Sequence, residues 1–258
     1  MNNKYWDITR TAFRGCRPVS AGCDHCWAAR FAWRCANNKK TAALYTGLVT
    51  AAGWTGKTRY TPDWDKGLPT KPKRILFNCM GDLFHEANRP GDIQNCLGTM
   101  ARWPQHTFIV PTKRPAVAFY HLKTFNRRIN NMVLLASVEN QASADDRIPW
   151  ALECQPHVKL VGASAEPLLG PIDFKKIRIQ KTVSIASKPA ATINALRPGI
   201  VLLTRAALGW VIVGQETGPH ARHCECLWLG LIHCDCSSTN TPHYYKQALW
   251  AKEQELPI

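Results

Sequence analysis

What this sequence lacks narrows its identity first. It has no uninterrupted apolar stretch long enough to make a membrane-spanning helix, so no membrane partner is expected. Its first residues, MNNKYWDITR, carry no apolar core of the signal-peptide kind, which sets the expectation of a cytoplasmic protein. There is no internal repeat and no low-complexity linker, so nothing marks a clean boundary between domains. Acidic residues are scarce: 18 Asp and Glu stand against 33 Lys and Arg, a formal net charge of +15. Such an excess draws polyanions through counterion release from phosphates, although a solvated basic surface gives the same number. The charge gathers locally at KPKR (71–74), TKRP (112–115), FNRR (125–128) and FKKIRIQK (174–181). Charge alone does not separate DNA, RNA and a phosphorylated small molecule.

What is present points to a packed α/β protein. With 258 residues, 45% of them hydrophobic and 20% charged, the chain can bury a core and suits one large domain. Short β-branched runs at Arg74–Cys79, Thr107–Pro111, Met132–Val138, Val158–Ala163 and Trp210–Gly214 have the pattern of buried strands. Tyr5–Thr9 can supply a first strand and Pro242–Lys246 a last one. The intervals hold helix-compatible segments such as Pro90–Trp103 and Gln141–Gln155. Near-continuous hydrophobicity in the strands implies that both faces are covered, as in parallel sheets flanked by helices. Polar residues follow almost every strand (MGDLFHE, TKRP, ENQ, AEP, QETG), and in parallel α/β folds these loops line the active site. Residues 47–72, rich in Trp, Gly, Thr and Lys, suggest an irregular insertion, and 174–208 an insertion or hairpin. Residues 219–258 form a Cys/His-rich C-terminal segment of the same single domain.

Eleven cysteines are the strongest chemical signal. Their odd number argues against complete internal pairing, and in a reducing compartment they are metal ligands or buried thiols more often than disulfides. In GCRPVSAGCDHCWAAR, six residues separate Cys16 from Cys23 and two separate Cys23 from Cys26. Three close thiolates without a local fourth suit a [4Fe–4S] cluster with one iron left open; with His25 or a distant ligand they suit zinc equally well. The strand series that follows favours the cluster. A second group, HCECLWLGLIHCDC, places Cys224, Cys226, Cys234 and Cys236 beside His223 and His233. It is a candidate for zinc or an auxiliary cluster, or a set of unliganded thiols. Cys35, Cys79, Cys96 and Cys154 have the setting of apolar fillers.

Taken together, GCRPVSAGCDHCWA, MGDLFHE, TFIVPTKRP, SVENQASADDRIP, AEPLLGPID, WVIVGQETGPHAR and PHYYKQ resemble, in order, a phage and bacterial family of radical S-adenosylmethionine (SAM) proteins with a three-cysteine motif. The resemblance implies a partial parallel (β/α)6 TIM-like barrel with the cysteines in the loop after its first strand. It implies that the open iron binds the amino and carboxylate groups of SAM, and that one electron from a reductase partner releases a 5′-deoxyadenosyl radical. By position, Gly81 and Asp82 correspond to the motif that receives the methionine ammonium. Ser137, Glu139 and Asn140 correspond to the residues that hold ribose hydroxyls or the SAM carboxylate. Glu166, Glu216 and Lys113 face the expected substrate as catalytic candidates. His25 stands where a side chain often packs on adenine, and Trp27 is the substitute.

Each residue also has a plainer role available. Asp82 and Asn140 fit helix N-caps, Lys113 surface charge, and the Glu166 segment a rigid turn. The relatives are associated with hypermodified thymine in DNA, which implies a nucleic-acid or nucleotide substrate, an isomerase or base-modifying reaction, and the host cytoplasm as location. Two other functions fit the same residues: a zinc-stabilised nucleic-acid-binding protein without catalysis, and a radical SAM enzyme acting on a peptide or small metabolite.

Overall fold

The apolar runs all fold as strands of one sheet. A computed structural model describes residues 5–179, 192–198 and 207–246. Among the described residues seven strands make up this sheet: β1 (Ile8–Arg10), β2 (Arg74–Phe77), β3 (Thr107–Thr112), β4 (Ile129–Ser137), β5 (Val158–Ala165), β6 (Val211–Val213) and β7 (His243–Tyr245). They lie side by side in chain order and every neighbouring pair is parallel. Seven strands replace the six expected, and β1 does not pair with β7, so the sheet is an open half-barrel and not a closed one.

Among the described residues, five helices of ten residues or more connect or flank the strands: α1 (Trp27–Ala36), α2 (Pro90–Arg102), α3 (Pro115–Phe125), α4 (Gln141–Glu153) and α5 (Cys226–Ser238). Local chemistry sets their starts. Proline opens α2 and α3, where its missing N–H costs nothing. Asn140 opens α4 with a reciprocal capping box to Ser143. None of the described helices is long and apolar enough to cross a membrane.

Side chains alternate along the strands between two cores. Ile75, Phe77, Phe108, Val110, Met132, Leu134, Val161 and Val211 join residues of α2 to α5, such as Leu97, Leu122, Ile148 and Ile232, in the larger one. Leu76, Ile109, Val133, Leu135 and Ile212 point to the opposite face, where Tyr5, Trp210 and Tyr244 close a smaller cluster. Both faces of the sheet are covered, and in different ways. Helices α2 to α5 pack in one cluster, while the other face is covered by the sheet's own side chains and aromatic residues from its ends.

The two irregular stretches are small antiparallel additions. In 47–72, Val49–Thr50 pairs with Gly53–Trp54, and Arg59–Tyr60 pairs with Phe13–Arg14. In 174–208, Ile177–Arg178 pairs with Thr192–Ile193, in keeping with a hairpin; residues 180–191 and 199–206 of that stretch lie outside the described residues.

Candidate functional site

Parallel pairing places every strand's carboxyl end on one edge of the sheet, and the cysteine segment crosses that edge in strand order. It begins beside β2, where the Gly15 N–H donates to the Met80 carbonyl (3.1 Å) and Gly15 bridges Gly81. Both positions require glycine. Gly15 has φ +94°, and a Cβ on Gly81 would sit 2.6 Å from the Phe13 carbonyl oxygen. Next, opposite β3, Arg114 Nη2 donates to the Arg17 carbonyl (3.2 Å) and Nη1 lies 3.9 Å from Cys16 Sγ. Opposite β4, the Cα of Gly22 packs so closely on Glu139 that a Cβ would meet Oε2 at 3.2 Å. Opposite β6, Arg222 Nη2 donates to the Ala21 carbonyl (2.8 Å), while His25 Nδ1 and Glu216 Oε2 are 3.0 Å apart. Arg30 of α1 extends the seam by donating to the Thr217 and Pro219 carbonyls.

Carboxylates anchor this seam, and they are already engaged within the protein. Buried Asp82 accepts from Thr112 Oγ1, the Phe84 and Lys113 backbone N–H groups and Arg114 Nη1 (3.2 Å). Arg114 Nε also contacts both oxygens of Glu86 at 2.8 Å. Buried Glu139 is paired with Arg147 Nη1 at 2.9 Å, and that same nitrogen donates to the Ser137 carbonyl. Glu216 accepts from Arg222 Nη2 at 2.6 Å and Nε at 2.9 Å, and Arg222 reaches on to Asp24. Donation from Arg222, joined by His25, holds the Glu216 carboxyl down at about 2 against the opposing effect of burial.

The three thiols of the segment are partly buried and free. Burial, reinforced by nearby Asp82, pushes the Cys16 thiol up to about 12. Among the described residues, no three His, Cys, Asp or Glu side chains stand in the positions of metal ligands. The chemistry of the donor set nevertheless fits a thiolate-bound centre: three soft ligands on one loop.

The remaining sequence candidates are dispersed. Asn140 caps α4 through its Oδ1, the plainer of its two expected roles. Lys113 meets Asp82 through its backbone N–H, not its ammonium. Ser137 lies buried at the end of β4. Glu166 is paired with Lys246 (2.6 Å) and accepts from Ser164 Oγ (2.9 Å), and Tyr5 hydrogen-bonds to it. Trp27 is 55% exposed on α1. The second cysteine group is split, with Cys224 and Cys236 buried and Cys226 and Cys234 exposed, because helix α5 turns 226, 234 and 236 to different sides. Burial pushes the Cys236 thiol up to about 12.

Sequence reasoning missed Arg222, Arg147 and Asn78. Asn78 adopts φ +63° just after β2, and its Oδ1 accepts from the Ala12 and Phe13 N–H groups, which ties the strand to the approach of the cysteine segment. An asparagine directly after a strand was the available signal. Arg147 and Arg222 carried none, since an arginine's partner is fixed only by tertiary packing.

The family model that matches this chain is that of a protein of unknown function, DUF5131, over residues 2–256. The chain belongs to that family. Assignment to the radical SAM superfamily, drawn from the landmark motifs, is corrected by this match: the landmarks are those of a DUF5131 protein, and no radical SAM family matches. No curated protein and no solved structure matches the chain significantly.

Proposed function

We propose that this DUF5131 protein is an iron–sulfur enzyme that uses S-adenosylmethionine for radical chemistry on a nucleic-acid component. One observation carries the reading: the segment bearing Cys16, Cys23 and Cys26 lies across the carboxyl ends of four parallel strands, hydrogen-bonded to groups that follow three of them and packed through Gly22 on Glu139 at the fourth. That edge is where parallel α/β folds put their chemistry. On this reading the open half-barrel is a partial TIM-like barrel. A [4Fe–4S] group held by Cys16, Cys23 and Cys26 would pass one electron from an external reductant to S-adenosylmethionine, whose sulfonium S–C5′ bond would break to give methionine and a 5′-deoxyadenosyl radical.

The chain's own residues hold and enclose the site. Cys16, Cys23 and Cys26 are the ligands. Gly81 lets the segment approach β2, and Asp82 positions Thr112, Lys113 and Arg114 beneath it instead of meeting a ligand ammonium itself. Glu139 supports Gly22, and Glu216 with Arg222 clamps the segment's far end. The Glu166–Lys246 pair and Ser137 are the polar groups proposed to face S-adenosylmethionine or substrate. The +15 charge supports a nucleic-acid substrate, with a hypermodified, 5-substituted thymine as the finer assignment and a rearrangement or base modification as the reaction. A base would have to leave the stack to reach the sheet edge.

A second reading has one observation in its favour. His25 places Nδ1 on Glu216, which leaves Nε2 facing away from the carboxylate, the arrangement of a metal-binding histidine. With three cysteines it would complete a closed zinc site in a binding protein without catalysis. Anaerobic protein given S-adenosylmethionine and dithionite separates the two. The enzyme forms 5′-deoxyadenosine and a Cys16/Cys23/Cys26→Ala variant does not; zinc without iron and no cleavage would establish the second reading.

A further inference from the structure

Helix α1 leaves the cysteine segment with two different faces. Ala28, Ala29 and Ala32 are buried against the body of the protein. Trp27, Phe31 and Arg34, spaced i, i+4 and i+7, share the other side, where all three are exposed; Trp27 is 55% and Phe31 43% accessible. The Arg34 guanidinium lies 5.6 Å from the centre of the Phe31 ring. Exposed Lys39 and Lys40 continue the positive charge beyond the helix, exposed Arg17 stands before it, and α1 itself contains no acidic residue. Folding gains nothing from leaving two large aromatic side chains in water when alanines fill the buried face.

We propose that this face of α1 is a stacking platform for single-stranded DNA. The inference deepens the nucleic-acid reading above and rests on it for the choice of DNA. Flat exposed rings recognise the faces of bases, while guanidinium and ammonium groups neutralise the phosphates between them. In a duplex those base faces are closed by stacking, so a platform of this kind selects an unpaired strand. Because Trp27 directly follows Cys26, a strand lying on α1 delivers its next nucleotide to the cysteine segment. Aromatic stacking gives the affinity and the basic residues give its salt dependence, so the two contributions separate experimentally.

The test is fluorescence anisotropy of a labelled oligothymidylate titrated with the full-length protein, metal-free and metal-loaded, over a series of salt concentrations. Phe31→Ala weakens binding about tenfold, near the low end of what one stacked base contributes, with the salt slope unchanged. Arg34→Ala lowers the logarithmic salt slope by about 0.7, one phosphate contact on a single strand. Tyr120→Ala, at a still more exposed aromatic on α3, leaves binding as it was. The inference is overturned if both α1 variants bind like wild type, if a duplex of the same length binds as tightly, or if RNA or anionic vesicles are preferred. Binding that persists in metal-free protein sustains the platform whether or not a cluster forms, so its failure and the failure of the cluster reading are distinguishable.

Discussion

Replacing Glu216 with Gln removes the charge that fastens the far end of the cysteine segment while keeping the side chain's shape. A carboxyl held at about 2 instead of its ordinary 4.5 corresponds to about 3 kcal/mol of preference for the ionised, folded form, at 1.36 kcal/mol per tenfold change. That is an upper bound. The carboxylate is buried, but the Arg222 side chain is 31% exposed, and solvent screens such a pair, so about 1–2 kcal/mol is the reasonable expectation. For a chain of this size the loss lowers Tm by roughly 2–6 °C. The pH dependence has a defined sign. The folded-state carboxyl is depressed, so its contribution is fully present above 4.5 and is lost as pH falls from about 4.5 towards 2. Calorimetry of wild type and Glu216→Gln at pH 7, 4 and 3 reads it directly. The gap in Tm is full at pH 7 and shrinks by pH 3. Equal stability at pH 7, or a gap that does not narrow in acid, would refute the clamp.

Other substitutions along the seam have graded effects. Asp82→Ala strips a buried carboxylate from four donors and costs about 3 kcal/mol, moderated because Arg114 keeps Glu86; urea denaturation at neutral pH measures it, and a loss below about 1 kcal/mol would contradict the network. Asn140→Ala removes the α4 capping box and costs about 1 kcal/mol in the same assay without altering metal content, whereas a larger loss of bound metal would mean that Asn140 serves the site. Gly81→Ala forces a methyl group against the Phe13 and Gly15 carbonyls. About 1–3 kcal/mol of stability and part of the metal occupancy are lost together, and unchanged occupancy would show that the segment does not depend on this close approach.

The sheet was legible in the sequence because buried parallel strands leave continuous β-branched runs, and Arg74–Cys79 through Trp210–Gly214 all became strands at nearly the expected limits. Helices α2 and α4 were legible from their starts, Pro90 and Asn140. What covers the face away from α2 to α5 was not. A strand lined on one side by helices and on the other by Tyr5, Trp210 and Tyr244 has the same hydrophobic run as one flanked by helices twice. At the site, the cysteine segment and the strand-end carboxylates singled out in the sequence lie along one edge of the sheet. Their partners were not foreseen. Asp82 and Glu216 look like free ligands in a sequence because the arginines that occupy them, Arg114 and Arg222, are distant from one and six residues from the other. The landmark motifs misled in a different way: they belong to the DUF5131 family, and likeness in motif order did not make a superfamily.

The most direct test of the central claim is the iron and acid-labile sulfide content of anaerobically reconstituted protein, wild type beside Cys16/Cys23/Cys26→Ala, with zinc measured in the same samples. The account predicts about four irons and four sulfides per wild-type chain and almost none in the variant, as a single cubane on those three thiolates requires. Iron retained in the variant, or zinc alone in the wild type, would contradict it.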